Sequence, residues 1–216
     1  RYSMKDRNIK DCEKILKFYF LSNKLKNTLR TGWKYWAVEG VRVESIAEHV
    51  FGTLMLAVSI YSHTKEYEDV DIEKVALILA LHETEEILIG DITMFDYEKV
   101  ATKKEEGRKA VVELFKDSES DKFLKLIEEF EAGETKEAKF AFMCDKLEAD
   151  IQAYIYRNNF NMQKVNAVCF ADGRIKEMKS RGLDRPDKFF LDSDKKKYSG
   201  AFLDIANYLE KLEQEK

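Results

Sequence analysis

A run of apolar residues that ends in a histidine and three glutamates constrains this chain more than any other stretch. The run covers Val75 to Leu81, and His82-Glu83-Thr84-Glu85-Glu86 follows it directly. On a helix from Ile72 to Leu88, His82, Glu83 and Glu86 share one stripe with the apolar positions of that helix. Unpaired buried carboxylates are costly, and a bound cation is one of the few partners that offset that cost. The stripe therefore predicts a metal site at the bottom of a helical core.

Residues that break helices are scarce in this chain. It has one proline and nine glycines in 216 residues, with 44% hydrophobic and 36% charged residues. Such a composition is too apolar for a disordered chain, and the length is enough for one sizeable core. We therefore expect an all-α fold.

Charge and cysteine content exclude several classes of protein. The net charge of −4 provides no basic surface for broad nucleic-acid binding. The three cysteines show no paired spacing, which favours a reducing compartment. The longest apolar run, Val50 to Ile60, is too short for a membrane span and is interrupted by small and polar residues. We expect a cytoplasmic protein without a membrane or nucleic-acid partner.

Two further helices are predicted to carry polar groups into the core. Ser45 and Glu48 form a capping-box pattern, and the apolar helix behind them, through about Ser62, is predicted to be the central buried one. A long helix from Thr135 to Arg157 has Asp145 on a stripe of small and apolar residues. The polar, lysine-rich segment 172–199 is predicted to be a mobile loop.

Four side chains on three predicted helices form a candidate metal site: His49, His82, Glu83 and Asp145. Two imidazoles and two carboxylates suit one divalent ion, such as Mn, Co, Zn, Fe, Ni or Mg. A core histidine that bonds a backbone carbonyl or Glu48 is the alternative for His49. Glu86 lies one turn beyond the doublet on the same stripe, and its alternative is a solvated glutamate at a helix end.

The chain resembles a known family at these residues. The stretches Arg30–Trp33, Glu44–His49, His82–Ile92 and Glu137–Asp145 resemble the HD-domain phosphohydrolases, and most of all their 5′-deoxynucleotidase branch. The resemblance covers about residues 10–157 and implies a helical bundle with the metal between its central helices. Residues 158–216 would add helices and a charged loop to a single domain over 1–216.

Two positions depart from the family pattern. The His-Asp doublet for which the family is named is His-Glu here, so the second side chain is one methylene longer. Thr93-Met94 replaces the proline that is usual after Gly-Asp-Ile. Glutamate still ligates divalent ions, but the longer arm would place the ion differently.

The resemblance also implies roles for individual residues. His49, His82, Glu83 and Asp145 would ligate the metal, and Glu86 would be the catalytic acid or base. Asp91 would contact the sugar hydroxyl as a catalytic and substrate-binding residue, and a cap of the next segment is its alternative. Arg30 or Arg42 would hold the phosphate, with Trp33 also in the substrate site. Lys103, Lys104 and Arg108 we interpret instead as a solvated charge run.

The implied activity is hydrolysis of a phosphoric monoester by a metal-dependent enzyme. The expected substrate is a small molecule, a nucleoside 5′-monophosphate, most of all in its deoxy form. Two alternatives stay open: another HD phosphohydrolase that acts on nucleoside triphosphates or a signalling nucleotide, and a non-catalytic regulator that binds nucleotide or metal. A homodimer also stays open.

Overall fold

Helices form nearly all of the regular structure in the computed structural model, which describes residues 9–36, 42–93, 96–118, 121–159 and 186–214. Within those ranges there is no strand, which confirms the predicted all-α fold class. The described helices are α1 Ile9–Ser22, α2 Ile46–His63, α3 Ile72–Leu81, α4 Glu86–Ile89, α5 Tyr97–Phe115, α6 Lys122–Ala132, α7 Lys136–Asn159, α8 Pro186–Asp194 and α9 Gly200–Gln214. None of them is both long and apolar enough to cross a membrane.

Helix α7 is the centre of the bundle. It packs against α2, α3, α6, α8 and α9, and its buried face includes Ala141 and Leu147. Burial of a leucine side chain stabilises a fold by about 1.5–3 kcal/mol, so this face is a main source of stability. The sequence predicted that helix α2 is the central buried one, but Phe51, Met55 and Val58 on this helix are about half exposed or more.

A capping box starts helix α2, as predicted. The backbone N–H of Glu48 donates to the Ser45 hydroxyl at 3.3 Å, and the Ser45 N–H donates to the Glu48 carboxylate at 2.7 Å. These bonds satisfy backbone donors that the first helical turn leaves free. An isolated antiparallel bridge between Leu29 and Ser45 holds the preceding segment against the cap. His49, in the first turn, therefore has a fixed position.

The expected helix from Ile72 to Leu88 is interrupted, which corrects the sequence prediction. Helix α3 ends at Leu81, and α4 starts only at Glu86. The His82 ring donates to the Leu79 carbonyl at 2.7 Å, and the Thr84 hydroxyl donates to the Leu81 carbonyl. Local side-chain bonds of this kind compete with the helical ladder. The resulting turn carries the His-Glu doublet.

Two stretches outside the predicted helices contain helical turns. The first holds a 3₁₀ helix, Thr31–Tyr35, after which residues 37–41 lie outside the described residues. In the lysine-rich segment 172–199, the described part from 186 onwards forms α8 and a 3₁₀ turn, Lys195–Lys197. Proline suits the first position of a helix, and buried Leu191 anchors α8 on the bundle. The first part of the predicted loop, residues 172–185, lies outside the described residues, as does Cys169.

Candidate metal centre and substrate cavity

Three helices converge where the sequence placed its candidate ligands. His49 comes from the first turn of α2, His82 and Glu83 from the turn after α3, and Asp145 from the middle of α7. One nitrogen or oxygen atom of each residue lies within 4.8 Å of those of the other three. The structure therefore brings together all four side chains of the predicted set.

The shortest distances centre on His49. Its Nε2 lies 3.1 Å from Asp145 Oδ1, 3.4 Å from His82 Nε2 and 3.7 Å from Glu83 Oε1. His82 Nε2 is likewise 3.7 Å from Glu83 Oε1. Two imidazole nitrogens and two carboxylate oxygens thus face a common point, which is the donor set of a first-row divalent metal.

The other nitrogen of each imidazole is occupied. His49 Nδ1 donates to Glu148 Oε2 at 2.5 Å, and His82 Nδ1 donates to the Leu79 carbonyl. Such bonds fix the ring orientation and leave Nε2 as the nitrogen that can bind a cation. This pattern is typical of histidines that ligate metals, and it shows that the residues present fit one.

Electrostatics in the cluster keep its acids ionised. Burial raises the pKa of Asp145, but Lys146 and His49 outweigh it and bring that pKa well below its usual range. Burial and Arg30 lower the pKa of His49, but hydrogen bonds to Asp145 and Glu148 raise it to about 9. Burial lowers the pKa of His82. At neutral pH and without a cation, His49 is therefore protonated and positively charged, whereas His82 is neutral.

Glu86 lies beside the cluster and differs from its other acids. Only 2% of its surface is exposed, and burial together with Glu83 and Asp91 raises its pKa to about 9. Glu86 Oε1 accepts from Lys103 Nζ at 3.1 Å, while Oε2 has no hydrogen-bond partner among the described residues. A protonated carboxyl at neutral pH can donate a proton, which suits a general acid.

Arg30 connects the cluster with the aromatic residues around it. Its Nη1 is 3.5 Å from Glu83 Oε1, and its Nε is 3.4 Å from Glu44 Oε1. The same Glu44 oxygen accepts from Trp33 Nε1 at 2.9 Å. Burial raises the pKa of Glu44 to about 7, with Glu148 adding to the effect. Arg30 and Trp33 are therefore held in place by one shared acid.

Asp91 and Arg42 occupy different environments. Asp91 accepts from the backbone N–H of Thr31 and, at 2.7 Å, from its hydroxyl, and it lines the cavity described below. Arg42 is exposed and pairs with Glu48, and it is not among the residues that line this cavity. The structure thus brings Asp91, but not Arg42, to the cavity beside the candidate ligands.

A cavity of about 350 Å³ opens beside the cluster. Its walls combine two of the candidate ligands, Glu83 and Asp145, with three cationic and several aromatic or apolar side chains. The cationic residues are Arg30, Lys103 and Lys146; the aromatic ones are Trp33 and Phe190. Such a mixture can bind an anion and an apolar group in the same molecule.

Several of these residues were missed by sequence reasoning. Glu148 lies three residues after Asp145 on the same helix face, and this spacing could have identified it as a partner. Lys103 was interpreted as solvated, but it is partly buried against Glu86, whereas Lys104 and Arg108 are exposed as predicted. Phe190 had no sequence signal, because its place depends on how α8 packs.

Comparison with known proteins agrees with the geometry. The HD-domain family pattern matches residues 22–180. The 5′-deoxynucleotidase hdd1 of Schizosaccharomyces pombe is 30% identical over 159 residues, which cover 69% of this chain and 76% of hdd1. The human 5′-deoxynucleotidase HDDC2 is 28% identical over 147 residues, which cover 67% of this chain and 69% of HDDC2.

Solved structures share the fold. A structure from Magnetospirillum magnetotacticum, described as a predicted metal-dependent phosphohydrolase, has a TM-score of 0.65 at 24% identity and covers 92% of each chain. A Pyrococcus horikoshii protein has a TM-score of 0.61 at 24% identity, with 91% of this chain and 99% of that chain covered. Because the HD-domain pattern matches most of the length of this chain, the chain belongs to the HD-domain family, whose members depend on a metal.

Proposed function

We propose that this protein is a metal-dependent 5′-nucleotidase that releases phosphate from deoxynucleoside 5′-monophosphates. The observation that carries the proposal is the cluster of two histidines and two acids at the wall of a cavity with three cationic side chains. The names of the yeast and human relatives, both 5′-deoxynucleotidases, support the same reaction and substrate class.

One divalent ion would be held by His49, His82, Glu83 and Asp145. When bound, such an ion polarises a phosphate oxygen and makes a water molecule more acidic. The donor set is compatible with Mn, Co, Zn, Fe, Ni or Mg, with nitrogen ligands favouring the transition metals. Glu148 acts through His49, since it holds the ring with Nε2 towards the other three donors.

Cations on the cavity wall bind the phosphate. Arg30 lies against Glu83 and presents a guanidinium whose paired donors match two phosphate oxygens. Lys146 Nζ, 2.8 Å from Asp145 Oδ2, adds a second positive charge close to the candidate ligands. Arg42 pairs with Glu48 away from this wall, so we assign the phosphate to Arg30.

Glu86 is the general acid of the proposed reaction. Its raised pKa keeps a proton on the carboxyl at neutral pH. Oε2, which has no hydrogen-bond partner in the described part of the chain, is the atom from which this proton can leave. Protonation of the departing 5′-oxygen turns the nucleoside into a good leaving group. Asp91, which accepts from Thr31 and lines the same cavity, would accept a hydrogen bond from a sugar hydroxyl.

A panel of nucleotides tests the proposal. Purified protein is incubated with Mn²⁺, Co²⁺, Zn²⁺ or Mg²⁺ and with deoxy- and ribonucleoside mono-, di- and triphosphates, and released phosphate, pyrophosphate and triphosphate are quantified. We expect phosphate from deoxynucleoside monophosphates. The variant Asp145→Asn lacks one candidate ligand and should release no phosphate.

Other outcomes would replace the proposal. Release of triphosphate or pyrophosphate from triphosphates would indicate a different HD phosphohydrolase. Nucleotide binding without any release, under all four metals, would indicate a regulator. Equal turnover by the wild type and Asp145→Asn would remove the cluster from the reaction.

A further inference from the structure

The cavity has a wall that comes from outside the family pattern. Phe190, on α8, lines it together with Arg30, Trp33 and both candidate acids, Glu83 and Asp145. The family pattern ends at residue 180, six residues before α8 starts at Pro186. The catalytic groups named above all lie inside the pattern. Phe190 is therefore a part of the cavity wall that lies beyond the matched residues.

Packing holds the Phe190 ring in a defined place. Its centroid lies 5.4 Å from that of Trp33 and 5.1 Å from that of Trp36, with interplanar angles of 57° and 55°. Both tryptophans are almost fully buried, and the adjacent Leu191 is buried as well. Aromatic pairs at these separations are attractive and directional. Phe190 itself is only partly buried, and it lines the cavity.

The cavity is larger and less polar than a phosphate alone requires. Its volume of about 350 Å³ falls in the range of sites that enclose a small organic ligand. The metal cluster and the cationic side chains account for an anionic group. Phe190, Val100 and Ile92 also line the cavity and provide surface for an apolar, planar group.

We propose that Phe190 is a specificity-determining residue that stacks on the nucleobase of the substrate. The inference rests on the proposed function and adds the subsite for the base. Stacking on an aromatic ring tolerates any base, since every base has a π face, and it strengthens with the size of that face. Purine nucleotides should therefore gain more from Phe190 than pyrimidine nucleotides.

The test compares substrates with and without a base. Steady-state kinetics are measured for dAMP, dCMP and 2-deoxyribose 5-phosphate with the wild type, Phe190→Leu and Phe190→Ala. We expect KM to rise about tenfold for dAMP in Phe190→Ala, from the usual contribution of one stacked base, and less for dCMP. Phe190→Leu, which keeps apolar bulk and supports α8, should show a smaller rise in the same order. Tyr208→Ala, at an exposed position on α9, serves as the matched control and should resemble the wild type.

Base-free 2-deoxyribose 5-phosphate separates stacking from damage to the fold. Its kcat/KM should be the same in all variants, because it reaches the phosphate and sugar groups only. Equal loss for this compound and for dAMP would show that Phe190 is structural and would overturn the proposal, as would unchanged KM for dAMP.

Nucleotide binding, followed by tryptophan fluorescence, separates this proposal from the proposed function. A wild type that binds dAMP without hydrolysing it, and binds it less tightly after Phe190→Ala, would overturn the nucleotidase but support the base subsite. A wild type that neither binds nor hydrolyses any nucleotide would overturn both.

Discussion

Glu83 stands where the resemblance leads one to expect the aspartate of a His-Asp doublet. Its Oε1 lies 3.7 Å from the Nε2 atoms of both His49 and His82, so the longer arm still reaches the point that the imidazoles face. The same oxygen lies 3.5 Å from Arg30 Nη1. Burial raises the pKa of Glu83, but His82, His49 and Arg30 outweigh it and keep the pKa low. The residue is therefore an ionised acid that lies close to both imidazoles and to Arg30.

Glu83→Asp restores the doublet that is usual in the family. We expect this variant to keep about one ion per chain, with turnover equal to or above that of the wild type, because aspartate is an equally good oxygen ligand. Elemental analysis and phosphate release are measured on one preparation. Glu83→Ala is the control and should lose the ion. Loss of the ion from Glu83→Asp would show that this site requires the longer arm.

Glu86→Gln removes a proton donor but keeps the size of the side chain. We expect metal content and substrate affinity to stay near wild-type values and kcat to fall about 10²–10⁴-fold, the usual range for general acid–base catalysis. Glu85→Gln is a matched control, since Glu85 is next to it in sequence but does not line the cavity. Unchanged kcat in Glu86→Gln would remove Glu86 from the mechanism, and loss of the ion would make it a ligand.

At the scale of elements, the contact between α2 and α7 controls the orientation of His49. A Cβ atom at Gly52 would lie 3.0 Å from Glu148 Cδ and even closer to Oε1. Gly52→Ala should therefore displace the Glu148 carboxylate from His49 Nδ1. We expect metal affinity to fall about 10–100-fold, the usual effect of losing such a partner. Metal titration measures the affinity.

In Gly52→Ala, the stability of the fold should not fall in parallel with the metal affinity. Alanine favours a helix interior by about 1 kcal/mol over glycine, which opposes the cost of moving Glu148. Gly107→Ala, in α5, is the control: the nearest atom there is Glu85 Cγ at 3.3 Å, so metal affinity should not change. Wild-type affinity in Gly52→Ala would show that Glu148 does not orient the ring.

The elements also show how far sequence reasoning reached. The capping box, the α2 start and the long α7 were predictable because capping pairs and helical periodicity are local signals. The break after Leu81 was not, since side-chain bonds to the Leu79 and Leu81 carbonyls override an apolar run that reads as one helix. Helix α8 was missed because its apolar residues Phe190 and Leu191 stand among many charged ones. Their packing on the bundle depends on the tertiary structure and gives no local signal in the sequence.

At the scale of the whole molecule, the protonation of His49 links metal binding to the stability of the fold and makes both depend on pH. In the metal-free protein, hydrogen bonds raise the pKa of His49 to about 9 against an ordinary 6.5. That proton stabilises the fold fully below pH 6.5, and its contribution is lost as the pH rises towards 9. A cation at the same point needs the Nε2 lone pair and must displace the proton.

Metal-induced stabilisation should therefore increase with pH. Burial keeps His82 neutral, and the acids are already ionised, so binding releases one proton, from His49. Affinity for Mn²⁺ should rise about tenfold between pH 6.5 and 7.5, and stabilisation at saturating metal by about 1.4 kcal/mol. Thermal unfolding with and without Mn²⁺ at both pH values measures this, and Asp145→Asn should show no metal effect at either. An equal shift in the wild type at both pH values would mean that His49 is neutral before the metal binds or is not a ligand.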